Sequence, residues 1–213
     1  MTESRKPPAR GPGPPDDRSL VLAAQGGDAQ AFRALVERYQ RRVYQLALGM
    51  LKDSDEAMDI TQETFVRVHR YLSSFKGDSS FFTWTYRIAT NLCLDSARKR
   101  GGRERVEMDE SDAEIESRMD PPSAALAGPQ RAALNAELKE KIDDALASLP
   151  PKHRAILLLR EVEGLSYEEL AKTLGIRKGT VMSRLFHARL KMQRKLREYL
   201  GDEGGKDDGE GEE

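Results

Sequence analysis

Acidic and amide side chains cluster within one short segment of the sequence, residues 59–65. At helical spacing Asp59, Gln62 and Glu63 share a face, and Asp55 lies in the same register. Gathered carboxylates can bind a metal or act as general acid and base, but Gln62 is a poor metal ligand and no histidine lies within the segment. The pattern therefore favours a polar surface that docks on another protein, with a solvated helix face as the alternative, and it predicts no metal site.

Aromatic rings crowd around the loop at 76–80, and polar groups follow them at helical spacing. They are Phe75, Phe81, Phe82, Trp84 and Tyr86, followed by Arg87 and Asn91. Such interleaving suits single-stranded nucleic acid, because bases stack on aromatic rings for about 1–3 kcal/mol each. Only 6% of the chain is aromatic, so we expect Phe81 and Tyr86 to be needed in a core. Trp84 and Arg87 are the better candidates for base contacts.

A third motif begins at the capping box formed by residues 166–169, which predicts a helix start. Downstream, Ala171, Gly175 and Val181 have the spacing of a tight helix-turn-helix: a small residue, a turn glycine and a core aliphatic. Residues 177–197 contain eight basic side chains and no acidic one, as expected where DNA phosphates would lie. This asymmetry favours DNA binding over a generic helical hairpin with a solvated basic face.

Base edges would be contacted from the exposed N-terminal part of the second helix of this motif. The candidates are Lys178, Thr180, Met182, Ser183, Phe186 and His187. For His187, an ordinary surface histidine is an equally good interpretation.

The elements that position these motifs are helical. Apolar residues recur at steps of three and four over 31–50, 60–72, 81–92 and 138–149, whereas no stretch alternates with the two-residue period of a strand. With 213 residues, of which 33% are charged, the chain suits two small helical domains rather than one large core. The predicted fold class is all-α.

Charge divides the chain into five segments. The predicted helical domains, 19–100 and 131–200, carry net charges of +3 and +6. A flexible linker at 101–130 and a disordered tail at 201–213 carry −5 and −6, and residues 1–18 form a Pro-rich disordered tail. Basic domains separated by acidic segments are typical of nucleic-acid-binding proteins.

The expected cellular location follows from three features: the length of the apolar runs, the N-terminal sequence and the cysteine content. Uninterrupted apolar runs, such as 155–159, are no longer than five residues, far short of the ~20 residues that cross a bilayer, and the N-terminus has no signal-peptide pattern. We therefore expect no membrane insertion and no secretion. The single cysteine, Cys93, cannot form an internal disulfide, which indicates a reducing, cytoplasmic location.

Taken together, the motifs resemble bacterial sigma factors of the sigma-70 family, in the extracytoplasmic-function (ECF) subgroup. Segments 59–65, 74–84 and 86–91 resemble sigma region 2. Segments 149–154, 163–169 and 179–185 resemble region 4. The resemblance covers almost all of the predicted ordered chain, and the motifs occur in the family's order and separation.

The resemblance implies a function and its partners. The chain would bind core RNA polymerase through the β′ coiled coil and the β flap, direct it to promoter DNA through minus-10 and minus-35 elements, and promote melting. It would need no cofactor, would not be an enzyme, and would work in the cytoplasm on the nucleoid. An anti-sigma factor is a further expected partner.

The resemblance also implies a role for each candidate residue. Core polymerase would be bound by Asp59, Gln62, Glu63 and Phe65. The minus-10 element would be read and opened by Lys76, Asp78, Ser79, Trp84, Arg87 and Asn91. The minus-35 element would be read by the helix-turn-helix at 167–186, through Lys178, Thr180, Met182, Ser183, Arg184, Phe186 and His187.

One departure from the family concerns the promoter sequence. Many ECF members that read an AAC-containing minus-35 element have arginines where this chain has Met182 and His187, so the resemblance does not imply that sequence here. Two other classes of protein are alternatives: a dimeric helix-turn-helix repressor or activator, and a nucleic-acid enzyme that uses Asp59 and Glu63.

Overall fold

The computed structural model describes residues 16–100 and 129–201, and all regular structure in these two ranges is helical. The predicted all-α class is confirmed. The predicted tails and the linker lie outside the described residues, apart from a few positions at their edges. None of the helices in the described ranges is both long enough and apolar enough to span a membrane.

The N-terminal unit contains four α-helices. They are α1 (Asp17–Gln25), α2 (Ala29–Leu51), α3 (Ser54–Tyr71), which continues into a 3₁₀ turn (Leu72–Ser74), and α4 (Phe81–Arg100). Asp16, Asp28 and Asp53 cap the first three helices, and each carboxylate accepts a hydrogen bond from a backbone N–H of the first turn. Ser80 does the same for α4, where its hydroxyl accepts from the N–H of Thr83 at 3.0 Å.

The C-terminal unit also contains four α-helices. They are α5 (Pro129–Ala147), α6 (Pro151–Leu157), which continues into a π-helical turn (Leu158–Val162), α7 (Tyr167–Leu174) and α8 (Lys178–Gly201). Pro151 occupies the first turn of α6, where a missing N–H costs no hydrogen bond. Both hydrogen bonds of the predicted capping box are present at the start of α7, between Ser166 and Glu169.

The two units share one apolar core. Buried side chains of α2 and α4 are continuous with buried side chains of α6, α7 and α8. The sequence predicts two domains separated by a polar linker, and in the structure these domains are packed against each other. The physical reason is that Leu158, in the π turn, covers the side of α2 that contains Gly49, so apolar side chains of both units are removed from water together.

Candidate polymerase and promoter interfaces

The predicted protein-docking residues lie on α3. Asp59 and Gln62 are exposed, and Glu63 is half-buried and accepts a hydrogen bond from Arg67 Nε at 2.7 Å, one turn along the helix. Phe65 differs from these three, because it is only 8% exposed and belongs to the core. Phe65 therefore supports this face from beneath and lines a groove beside it, whereas the polar residues lie on the surface of the helix.

An apolar groove of about 540 Å³ runs beside Gln62, between α2 and α3. Its lining includes Phe32 and Val36 of α2 and Met58 and Val66 of α3, and the last two are 48% and 50% exposed. These residues were not among the sequence candidates. The sequence pattern that indicates this groove is the pair Met58 and Val66, two apolar residues eight positions apart on an otherwise polar helix face. Polar groups beside exposed apolar surface are the usual composition of a protein–protein interface.

The carboxylates of this face do not assemble into a metal site. Within residues 16–100 and 129–201, no group of three or more His, Cys, Asp or Glu side chains is placed to hold a metal ion. The carboxylate nearest to Glu63 in the predicted face, Asp59, is exposed on the preceding turn. The exposed polar groups of this face therefore stay candidates for protein docking.

The aromatic cluster at the start of α4 is buried or partly buried throughout, and none of its five rings is exposed. Trp84 is 9% exposed, and its ring centroid lies 4.8 Å from that of Phe75 and 6.0 Å from that of Phe81. Phe81 and Tyr86 are buried, which confirms the expectation that these two rings are core residues. The structure places Trp84 with them, so a base-stacking role for Trp84 stays a prediction.

The polar candidates for minus-10 contact are on the surface. Arg87 and Asn91 are both exposed and lie one helical turn apart on α4. Lys76 and Asp78 are exposed in the preceding loop, Ser79 is partly buried, and Gly77 makes the turn with φ +80°. This loop and the exposed face of α4 together present hydrogen-bonding groups above a wall of buried aromatic rings.

The helix-turn-helix has the geometry that its sequence predicts. Gly175 ends α7 in the left-handed conformation, with φ 66°, and its N–H donates to Ala171 O. Val181 of α8 is fully buried against α7. Leu170 and Leu185 are also buried, with at most 1% of their surface exposed. The turn thus holds α8 against α7, and residues 177–179 at the start of α8 are exposed.

The predicted base-contacting residues differ in accessibility along α8. Met182 is 56% exposed and Lys178 is exposed, whereas the remaining five are partly buried: Thr180, Ser183, Arg184, Phe186 and His187. The rings of Phe186 and His187 meet edge to face with centroids 5.4 Å apart. Lys178 pairs with Glu168 of α7, and the hydrogen bond from this ammonium lowers the pKa of the Glu168 carboxyl.

Comparison with known proteins gives two family matches. Residues 35–103 match the model for sigma-70 region 2, and residues 139–192 match the model for sigma-70 region 4. Among curated proteins, the chain is 38% identical over 192 residues to the RNA polymerase sigma-H factor of Pseudomonas aeruginosa PAO1, covering 86% of this chain and 95% of that protein. It is also 38% identical over 187 residues to the ECF RNA polymerase sigma-E factor of Escherichia coli K12, with coverage of 86% and 96%.

Two solved structures are similar over most of the chain. The structure of CnrH in complex with the cytosolic domain of CnrY aligns with a TM-score of 0.62 and 26% identity, covering 84% of this chain and 96% of that one. The sigma factor RpoE of Bartonella quintana, in complex with the anti-sigma factor NepR, aligns with a TM-score of 0.57 and 25% identity, with coverage of 79% and 98%.

Proposed function

The chain belongs to the ECF subgroup of the sigma-70 family of RNA polymerase sigma factors, and from this premise we propose how its surfaces divide the work of promoter recognition. Proteins of this family are transcription initiation factors: they bind core polymerase and direct it to promoters through minus-10 and minus-35 elements. In our proposal the region 2 unit spans 19–100, the region 4 unit spans 131–200, and the segment 101–130 connects them.

We assign one role to each surface. The α3 face with Asp59, Gln62 and Glu63 docks on the β′ coiled coil, and the adjacent apolar groove extends that contact. The loop at 76–80 and the α4 face with Arg87 and Asn91 contact the opened minus-10 element. The N-terminal half of α8 enters the major groove at the minus-35 element, and the region 4 unit also meets the β flap.

One observation carries the proposal. The described residues present two separate surfaces suited to DNA, of different chemistry: a helix-turn-helix followed by basic residues, which suits duplex, and the polar α4 face above packed aromatic rings, which suits exposed bases. A dimeric repressor would need only the first surface.

Run-off transcription with purified core polymerase tests the function. We expect specific transcripts only when the chain, core polymerase and a cognate promoter are combined, with no bond chemistry by the chain alone. Tight duplex binding with no effect on polymerase would support a repressor instead, and metal-dependent turnover without polymerase would support an enzyme.

Two further assignments complete the proposal. We infer an anti-sigma partner, because CnrH and Bartonella RpoE, which resemble this chain, are each seen bound to a partner, CnrY and the anti-sigma factor NepR. We also place the protein in the cytoplasm on the nucleoid, since its proposed partners are polymerase and promoter DNA.

The α3 face yields a direct prediction about polymerase binding. Replacing both Gln62 and Glu63 with Ala should weaken core-polymerase affinity about tenfold or more, since polar docking groups contribute to association rather than to folding. A pull-down or anisotropy titration with core polymerase measures the affinity, and circular dichroism verifies the fold. The matched control is Glu137→Ala with Glu140→Ala, two exposed carboxylates on α5. If the two double variants bind core polymerase with equal affinity, α3 is not part of the polymerase interface.

The helix-turn-helix yields a second prediction, about specificity. Substituting Ser183 or His187 with Ala should cost about 1–3 kcal/mol of minus-35 binding and relax discrimination at one base pair. Arg177→Ala should instead weaken binding to all DNA sequences alike, because a phosphate contact carries no sequence information. It should also reduce the slope of log affinity against log salt concentration by about one. Anisotropy titrations over a salt series, with a panel of single-base changes, separate the two effects. Affinity that does not change with salt would contradict this assignment.

A further inference from the structure

Met182 is an exposed apolar side chain within the basic part of α8. It is 56% exposed, and it is the only large apolar side chain that is exposed within residues 167–197, a range in which every side chain is described. Arg177 and Lys178 are exposed about one turn before it, and Arg189 is exposed about two turns after it. Because cations lie on both sides of Met182, this surface suits a polyanionic partner rather than an apolar protein groove, in which those charges would lose water.

The packing of α8 does not account for an apolar residue at position 182. Val181 and Leu185 hold α8 in the core of the region 4 unit, and each is at most 1% exposed. Successive helix residues are rotated by about 100° around the axis, so Met182, directly after Val181, lies outside the packed face. Its side chain is therefore available to a partner, and its removal should cost the fold little.

Gly179 leaves open space beside Met182. It is exposed and lies three residues earlier on α8, on the same face of the helix. A Cβ atom at this position would meet nothing within 4 Å, and the glycine does not have the left-handed backbone that would require it. Glycine destabilises a helix relative to alanine, so the fold itself gains nothing from it here. A glycine at this place does allow an external surface to approach the helix backbone closely.

The major groove of B-DNA presents one apolar group, the methyl group on C5 of thymine. The remaining groups on its floor are hydrogen-bond donors and acceptors, which a methionine thioether satisfies only weakly. Opposite a G·C pair, Met182 would displace water from guanine O6 and N7 without replacing the lost hydrogen bonds, at a cost in free energy. Opposite thymine, it would instead remove two apolar groups from water together.

We propose that Met182 is a specificity-determining residue that recognises the methyl group of a thymine, so that the minus-35 element of this chain has an A·T pair at the position facing Met182. The inference rests on the proposed entry of α8 into the major groove. Selection at this position comes from apolar contact with the methyl group and from the unfavourable desolvation of a G·C pair. The open surface at Gly179 lets the base edge come within contact distance of the side chain.

Promoters for the test come from run-off transcription by core polymerase and the full-length chain on templates with random sequence upstream of the start site. Sequencing of the transcribed templates identifies the minus-35 segment that this holoenzyme uses. A pool that yields no transcripts would overturn the proposed function, and this inference with it. Selected promoters without a thymine-dependent contact would overturn the inference alone.

Replacement of thymine by uracil removes only the methyl group and leaves base pairing intact. Each thymine of the selected minus-35 segment is replaced in turn, in either strand, and competition binding measures the affinity of the holoenzyme for each duplex. For the parent chain, we expect one or two thymines at which uracil weakens binding about three- to tenfold. For Met182→Ala, the same replacement should weaken binding less than about twofold, because a direct contact makes the two changes non-additive.

Three further variants separate the methyl contact from other effects of substitution. Met182→Leu keeps an apolar side chain and should retain the uracil effect. Met182→Arg should exchange the preferred A·T pair for a G·C pair, with a change in relative affinity of about tenfold or more, because arginine donates to guanine O6 and N7. The matched control is Leu138→Ala, which removes an exposed apolar side chain from α5 of the same unit and should retain the full uracil effect. Circular dichroism verifies that each variant is folded.

The outcomes that contradict the inference are distinct. Equal uracil effects in the parent and in Met182→Ala would overturn the methyl contact. A G·C pair in the parent's selected promoters, at the position whose preference Met182→Arg changes, would overturn the assignment of thymine. Weaker core-polymerase binding by Met182→Ala, with promoter discrimination unchanged, would overturn the inference and assign Met182 to a protein contact.

Discussion

Core polymerase bound to the Asn91→Ala chain should transcribe poorly from an intact duplex promoter. It should recover much of its activity on a template whose minus-10 region is already open. Asn91 and Arg87 are exposed on α4, where they can hydrogen-bond to the base edges that become accessible when the strands separate. Unstacking and extruding a base costs a few kcal/mol, which only contacts to the exposed base can offset. On duplex DNA we therefore expect a loss of about 10²–10³-fold, equivalent to about 3–4 kcal/mol.

The comparison of two templates identifies the affected step. Transcription from a mismatched bubble removes the melting requirement, so the variant should approach the parent there. Permanganate reactivity should show the same difference, with duplex thymines left unreactive although polymerase is bound. Asp95→Ala, an exposed position one turn further along α4, serves as the matched control. If the bubble does not rescue an Asn91→Ala protein that still binds core polymerase, Asn91 has no role in strand opening.

Trp84→Ala should act mainly on stability, by about 3–5 kcal/mol. Trp84 is 9% exposed and contacts Phe75 and Phe81, so truncation leaves a large cavity in the region 2 core. Since domains are typically stable by only 5–15 kcal/mol, this loss should lower the unfolding midpoint strongly. Urea unfolding followed by circular dichroism measures it, because Trp84 is the only tryptophan in the sequence and its removal abolishes that fluorescence signal.

Trp84→Phe provides the contrast, since it keeps most of the apolar volume and should lose considerably less stability. If Trp84→Ala is instead as stable as the parent and yet fails on duplex promoters, with rescue on the bubble template, the side chain contacts bases rather than the core. The two assays thus decide between the base-stacking role suggested by the sequence and the packing role suggested by its burial.

Features governed by neighbours within about four residues could be predicted from the sequence. The capping box at Ser166 and the left-handed turn at Gly175 are present as expected, because a cap or a tight turn is decided by hydrogen bonds and dihedral angles within one helical turn. The all-α class follows in the same way from local periodicity. The family motifs are also local strings of residues, so they indicate a sigma factor without any knowledge of packing.

Features governed by contacts between distant segments could not be predicted. Trp84 and Phe65 have sequence surroundings similar to those of exposed candidates, and only the packing of α2, α3 and the 72–75 segment decides that both are buried. The partnership of Arg42 with Glu163 joins residues 121 positions apart, and no pattern in the sequence marks it. A charged residue is predicted on a solvated surface by default. Glu163 departs from that default because a cation and aromatic rings from another unit replace its water, an arrangement that exists only once the chain has folded.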